Sequence, residues 1–387
     1  MHYNFDEIYE RRKTNSVKWS SEDSDVLPLW VADMDFKVPP AVTDALVKKA
    51  EEGIFGYNIL PQEYYDAICN WWKRRHNWSI KKDWIVFSPG IVTALNIILE
   101  GITKPGDKVL LQTPVYHPFY KVIKNNKCDL IENPLKVING KYCMDFEDLE
   151  QKIAANNVKV MILCSPHNPV GRVWTEDELR KIGDICLKHN VIVISDEIHC
   201  DLVYSPNVHI PFASISEEFL NNSITCTAPS KTFNLAGLQI SNIIVPNEKL
   251  RTKVEAAFAR NTIGEPTSFA ITAAIAAYNQ GEQWLDELIK YLYGNYEFLK
   301  EFLEEKLPEL KVAHLEGTYL TWVDCSALPY KGDQLKDFFL EKAKLWFNEG
   351  IMFGAAGKEF IRINIACPRS TLAEALSRME KAIKAFV

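Results

Sequence analysis

The chain has 387 residues, of which 47% are hydrophobic and 25% charged, a balance that suits a soluble globular protein with one large domain and a second, smaller one. Lys+Arg 44 against Asp+Glu 51 gives a formal net charge of -7 with no basic stripe, so nucleic acid is excluded as an expected partner. No run approaches the roughly 18 apolar residues of a membrane span, and a membrane is excluded with it.

The start, Met1 to Arg12, interleaves charged and apolar residues and lacks the continuous apolar core of a secretory signal, so a cytoplasmic location is expected. The nine cysteines are scattered and never form Cys-x-x-Cys, which points to reduced thiols. The eight histidines include no pair at metal-ligand spacing, and no metal is expected.

Taken in chain order, residues 1 to about 35 read as an arm leading into Leu29-Trp-Val-Ala-Asp-Met-Asp-Phe36. Pro39-Pro40 opens a helix through Ala41 to Glu52, and a loop through Tyr57 leads to a helix from Gln62 to His76. Trp84 to Ser88 is a short strand that Pro89-Gly90-Ile-Val-Thr93 turns into a helix from Ala94 to Gly101. A glycine turn opening a helix presents free backbone N–H groups suited to a phosphate, although the same turn is equally that of an ordinary capped helix. The strand Lys108 to Gln112 ends in Thr113-Pro-Val-Tyr-His-Pro118, whose prolines could hold Tyr116 over a planar ligand or simply in packing.

Val158 to Cys164 is nearly continuous in apolar residues, the mark of a parallel strand covered on both faces. It ends in the turn Ser165-Pro-His-Asn-Pro-Val-Gly171, which fixes Asn168 before a proline. A helix from Thr175 to Asn190 carries a capping box of Thr175 and Glu178. The strand Val191 to Ser195 delivers Asp196-Glu-Ile-His199 at its carboxyl end, and the strand Ile224 to Thr227 brings Lys231 within Ala228-Pro-Ser-Lys-Thr-Phe233. Ile240 to Pro246 is a further strand. Helices follow over Leu250 to Ala259, Thr267 to Asn279 and Gln283 to Leu307, then strands near Thr318 to Val323 and Phe360 to Asn364 with helices at Asp333 to Phe347 and Thr371 to Phe386.

Successive strand ends thus offer a phosphate cup at Gly90 to Thr93, an amide at Asn168, a carboxylate at Asp196 and an amine at Lys231. A pyridoxal 5'-phosphate site requires these groups. The lysine forms a Schiff base with the aldehyde, a carboxylate keeps the pyridine nitrogen protonated, a donor steadies the phenolic oxygen and a helix end takes the phosphate.

Along nearly its whole length the chain resembles the fold-type I pyridoxal-phosphate enzymes of the class I/II aminotransferase superfamily. Within it, Trp30-Val-Ala-Asp-Met-Asp-Phe36, Ser165 to Gly171, Asp196 to His199, Ala228 to Gly237 and Ile361-Arg-Ile-Asn-Ile-Ala-Cys-Pro-Arg369 resemble the cystathionine β-lyase branch, which includes cystalysin-like carbon-sulfur lyases.

The resemblance implies an α/β fold with a mainly parallel central sheet, helices on both faces and a smaller α+β domain. It divides the chain into an arm with part of the small domain (1–47), a large cofactor-binding domain (48–282) and a C-terminal α+β domain (283–387). It further implies that Lys231 holds the cofactor and serves as general base, with Tyr116 stacked on the ring and Asp196 on the pyridine nitrogen. Asn168 and His199 lie by the phenolic oxygen, and Val92, Thr93 and Ser230 meet the phosphate, with Tyr57 from a neighbouring subunit of a homodimer. Arg362, with Asn168, grips the substrate carboxylate. Most aminotransferases of the superfamily carry a tyrosine three residues after the aspartate and an arginine eight residues after the lysine. Here these positions hold His199 and Gln239, which fits elimination of a thiol from a sulfur amino acid, with transamination as the alternative and a non-catalytic cofactor-binding regulator as a third reading.

Overall fold

The computed structural model describes residues 3–386. At its centre lies a seven-stranded sheet. In spatial order its strands are Ile85–Ser88, Ser241–Ile244, Ser223–Thr227, Ile192–Asp196, Val158–Cys164, Lys108–Thr113 and Asp129–Pro134. The last five run parallel, while Ser241–Ile244 is antiparallel to both of its neighbours. Ile85–Ser88 therefore points the same way as the parallel five, and six of the seven strands end at one edge. Five of the loops leaving that edge carry the candidate site, because ligands of open α/β sheets bind outside the carboxyl ends of the strands.

Burial explains which strands are central. Val158–Cys164 is buried at every position but Lys159, and Ser223–Thr227 is buried throughout, as strands covered on both faces must be. Asp129–Pro134, with Asp129, Glu132 and Pro134 exposed, sits at the sheet edge, where charge and proline deter further pairing. On the solvent side, the helix Glu176–Lys188 starts in the expected capping box: Thr175 Oγ1 accepts from the Glu178 N–H at 3.2 Å, and the Thr175 N–H donates back to Glu178 Oε2 at 2.9 Å.

A second, four-stranded sheet orders Lys311–Val312, Leu320–Asp324, Phe360–Asn364 and Asn348–Glu349, all antiparallel. The 25-residue helix Glu282–Lys306 precedes it and Arg369–Phe386 follows it. The arm joins this part of the chain, since Leu27–Pro28 pairs in parallel with Leu345–Trp346.

Three expectations change. The helix expected to reach Phe347 stops at Lys342, because Lys344 turns with a positive φ of 56° and Leu345–Trp346 pairs as a strand instead. The helix expected from Ala94 begins at Ile91, immediately after Gly90. The helix Pro118–Asn125, the edge strand Asp129–Pro134 and the helix Phe146–Asn156 are additional to the sequence reading.

Candidate active site

The strand-end loops surround a cavity lined by Val92, Thr93, Tyr116, Asn168, Asp196, His199, Ser230 and Lys231, eight of the residues picked out from the sequence. Gln239 and Cys164 line it too. Arg362 is not on the cavity wall, but Nη1 donates to Asn168 Oδ1 at 3.1 Å, so it lies one residue behind it. Tyr57 is elsewhere: it is fully exposed in the loop before Gln62, and a single chain does not bring it to the cavity.

Each group owes its place to a local cause. Gly90 caps the Ile91–Ile102 helix without any side-chain hydrogen bond, leaving the first-turn N–H groups of Ile91, Val92 and Thr93 at the cavity. A Cβ on Gly90 would meet nothing within 4 Å, so the space before this helix end is open. Asp196 is the last residue of its strand and is buried. Its Oδ1 accepts from the Ile198 N–H at 3.2 Å, and this is its hydrogen bond among the described residues. Burial, with Glu197 next to it, pushes its carboxyl up to about 7. A buried carboxyl supported so thinly suits a cationic partner, such as a protonated ring nitrogen.

Lys231 stands in the short helix Pro229–Thr232, and its Nζ donates to the carbonyl of Ala32. Burial and then the charge of Arg362 lower its amine to about 8, against weaker opposing effects of Asp33 and Asp196. A large fraction of the amine is neutral near that pH, as a nucleophile or proton acceptor must be. His199 is buried with its Nδ1 unpartnered and its ring edge-on to Tyr319, centroids 5.9 Å apart. Desolvation, followed by the charges of Lys231 and Arg362, holds it well below the usual imidazole range, so it is neutral. Tyr116 packs edge-on to Phe119 at 5.6 Å.

Arg362 is buried. Its Nη2 donates to the carbonyl of Trp30 at 2.8 Å and to Asn348 Oδ1, and its guanidinium covers the Phe353 ring at 4.9 Å. Burial lowers it to about 10, which leaves it charged at neutral pH, and Nε has no partner. An anchored guanidinium with an open N–H is ready for a carboxylate.

The sequence reading missed the frame around these groups. Ala32 accepts from both Lys231 and the Tyr319 hydroxyl, the latter at 2.9 Å. The 31–36 backbone is held there by Asn364, whose Nδ2 donates to the carbonyls of Val31 and Asp33 at 2.6 Å, and by Asn234, whose Nδ2 donates to Met34 and Phe36 at 3.0 and 2.9 Å. Arg362 and Asn364 are two apart on one strand and so face the same way. That spacing was the available signal for Asn364. A backbone carbonyl such as that of Ala32 leaves none.

The residues present fit pyridoxal 5'-phosphate. The amine of Lys231, the thinly supported carboxyl of Asp196, the unpartnered imidazole nitrogen of His199 and the helix end at Gly90, whose N–H groups no side chain caps, occupy one cavity, and each matches a different part of that molecule.

The chain belongs to the aminotransferase class I and II family, whose model matches residues 24–379. Within that class its similarity runs both to proteins named as carbon-sulfur lyases and to proteins named as aminotransferases, such as a PLP-bound putative aminotransferase from Clostridium difficile 630 (49% identity, TM-score 0.97, covering 99% of this chain and 100% of that one). It is 45% identical to cystathionine beta-lyase PatB of Bacillus subtilis (strain 168), over 98% of this chain and 100% of the relative. The crystal structure of cystalysin from Treponema denticola, which contains a pyridoxal 5'-phosphate cofactor, superposes with a TM-score of 0.97 at 40% identity, covering 100% of both chains. The PLP-bound C-S lyase from Staphylococcus hominis gives 0.93 at 37% identity, again over 100% of both.

Proposed function

We propose that this chain is a pyridoxal 5'-phosphate-dependent carbon-sulfur β-lyase that cleaves L-cystathionine, and related S-substituted cysteines, to a thiol, pyruvate and ammonia. The observation that carries the reading is the amine of Lys231, lowered to about 8 in the same cavity as the buried carboxyl of Asp196. Full-length similarity to a cystathionine β-lyase and to cystalysin supports the choice of elimination, as do His199 and Gln239 at the two positions named above.

When bound, pyridoxal 5'-phosphate supplies an electron-accepting ring for the pair left at the substrate Cα. Arg362 binds the substrate carboxylate, and Asn168, hydrogen-bonded to it, fixes the angle of approach. Lys231 Nζ takes the Cα proton. The Cα–H and Cβ–S bonds break, a Cα=Cβ bond forms and sulfur leaves as thiolate. The released aminoacrylate hydrolyses to pyruvate and ammonia. Tyr116 would cover the cofactor ring, Asp196 would hold a proton on its nitrogen, His199 and Asn168 would meet its phenolic oxygen, and Val92, Thr93 and Ser230 would take the phosphate.

The reading includes a homodimer in which Tyr57 reaches the phosphate of the neighbouring subunit. Ile54, Phe55, Tyr57 and Ile59 form an exposed apolar stretch beside each other in sequence, which supports a covered face there. It also includes the division at 47/48 and 282/283, supported by the pairing of the arm with Leu345–Trp346, and a cytoplasmic location. Among the described residues no helix is long and apolar enough to cross a membrane.

The test is to give the cofactor-loaded chain L-cystathionine without any keto acid. Continuous one-to-one release of pyruvate and thiol is expected. No release, with turnover restored by an added keto acid, would make the chain an aminotransferase, which needs an acceptor where a lyase does not.

A further inference from the structure

The turn that follows Asp196 faces two ways. Asp196 and His199 line the cavity, while Asp201, two residues beyond His199, is buried and lines a separate cleft. Asp201 Oδ2 accepts from Thr232 Oγ1 at 2.7 Å, and Thr232 is the chain neighbour of Lys231. Asp201 Oδ1 accepts from Trp71 Nε1 at 3.1 Å and pairs with His76 Nε2 at 2.8 Å, both on the helix Gln62–His76. Burial pushes the Asp201 carboxyl up, but His76, Thr232 and Arg75 outweigh it and hold the group below the usual carboxylate range. It is an anion whose two oxygens accept three hydrogen bonds.

Cys200 also lies close, so that His76, Cys200 and Asp201 present donor atoms within 4.8 Å of one another. Arg74 and Arg75 line the same cleft, and the Asp201 oxygens are already engaged, which disfavours a cation. The cluster is a hydrogen-bonded brace.

We propose that Asp201, oriented by His76 and Trp71, is the positioning residue for Lys231: through Thr232 Oγ1 it fixes the short Pro229–Thr232 helix against the same turn that carries Asp196 and His199. The amine that holds the cofactor and the carboxyl that holds its ring nitrogen are then set by one rigid turn, not by two independent loops. A helix of four residues has too few internal hydrogen bonds to hold itself, so an outside anchor decides where Lys231 points. Trp71 and His76 both reach Asp201 Oδ1 from the Gln62–His76 helix and tie that anchor to its scaffold.

This inference rests on the proposed role of Lys231, and its test separates the two. The pH at which Lys231 titrates is read in the full chain, without added cofactor, by trace acylation and mass spectrometry across a pH series. Thr232→Val keeps the shape and removes the hydroxyl. Its Lys231 is expected to move into water and titrate upward from about 8 towards the ordinary lysine value, and the loaded variant is expected to release the cofactor at least about tenfold faster. Thr232→Ser restores the hydroxyl and is expected to return both readouts to wild type, which a loss of general stability would not do. Asp201→Asn, if it folds, should follow Thr232→Val. A Thr232→Val chain whose Lys231 titrates as in wild type, with unchanged cofactor release, overturns the positioning role. Failure of the wild-type chain to take up pyridoxal 5'-phosphate on Lys231 would contradict the proposed function, while the titration of the unloaded chain would still decide the positioning role.

Discussion

Two lysines reach the 32–35 backbone, and they are treated in opposite ways. Lys18, in the arm, is fully buried, with its Nζ 2.8 Å from Asp35 Oδ2 and 3.9 Å from Asp33. Arg11 and the Trp19 indole complete that cluster, at 2.6 and 2.8 Å from Asp35 Oδ1. Lys231 reaches the same segment from the cavity and finds a neutral carbonyl, that of Ala32, with Arg362 as a charged neighbour. Burial alone does not make a reactive amine. Burial without a fixed counter-ion does, and here three residues of chain separate the two outcomes.

The comparison can be broken most forcefully at Lys231. Replacing it with Ala removes the proposed proton acceptor and attachment point, and turnover is expected to fall by about 10³-fold or more, with the fold retained. Steady-state kinetics and circular dichroism check this, and a variant with normal turnover would remove Lys231 from the site. Next in size is Lys18→Met, which leaves Asp35 buried beside a missing partner. Chemical denaturation is expected to show a loss of about 3–5 kcal/mol, with KM little changed in whatever fraction folds. Equal stability to wild type would mean that the arm cluster is not a structural anchor.

Arg362→Ala should act chiefly on KM, raising it by roughly 10–100-fold through loss of the proposed charge-assisted hydrogen bonds to the substrate carboxylate. An unchanged KM would place the carboxylate elsewhere. The smallest effect sharpens the comparison by pH. The folded carboxyl of Asp196 is raised to about 7 from an unfolded value near 3.8, so the folded chain binds the extra proton in that window, and this group's contribution to stability is lost as pH climbs from about 4 to 7. Asp196→Asn removes that loss. The cofactor-free variant is expected to melt a few degrees above wild type at pH 7, while its turnover after loading falls. A variant less stable than wild type at pH 7 would show that Asp196 is structural.

Much of this arrangement was legible in the sequence because it rests on short-range signals. The continuous apolar run Val158 to Cys164 and the capping box at Thr175 and Glu178 report on their own environments, and loops that follow parallel strands must converge at one edge. That is why the sequence alone groups Asn168, Asp196 and Lys231. The edge strand Asp129–Pro134 was invisible because its exposed charges look like those of a loop. Helix Pro118–Asn125 was hidden behind prolines read as loop markers, although Pro118 occupies the first helical position, where proline is tolerated. Tyr319, Asn348 and Ala32 could not be found, since their roles depend on how the four-stranded sheet and the arm meet the cavity, and one of them acts through its backbone.

The central claim is that, of the two inward lysines, Lys231 alone is left free to react. The most direct measurement is to incubate the full chain with pyridoxal 5'-phosphate, reduce it with borohydride, digest it and locate the modified lysine by mass spectrometry. The account predicts stoichiometric modification of Lys231 and none of Lys18. Modification of Lys18, or of surface lysines with Lys231 untouched, would contradict it.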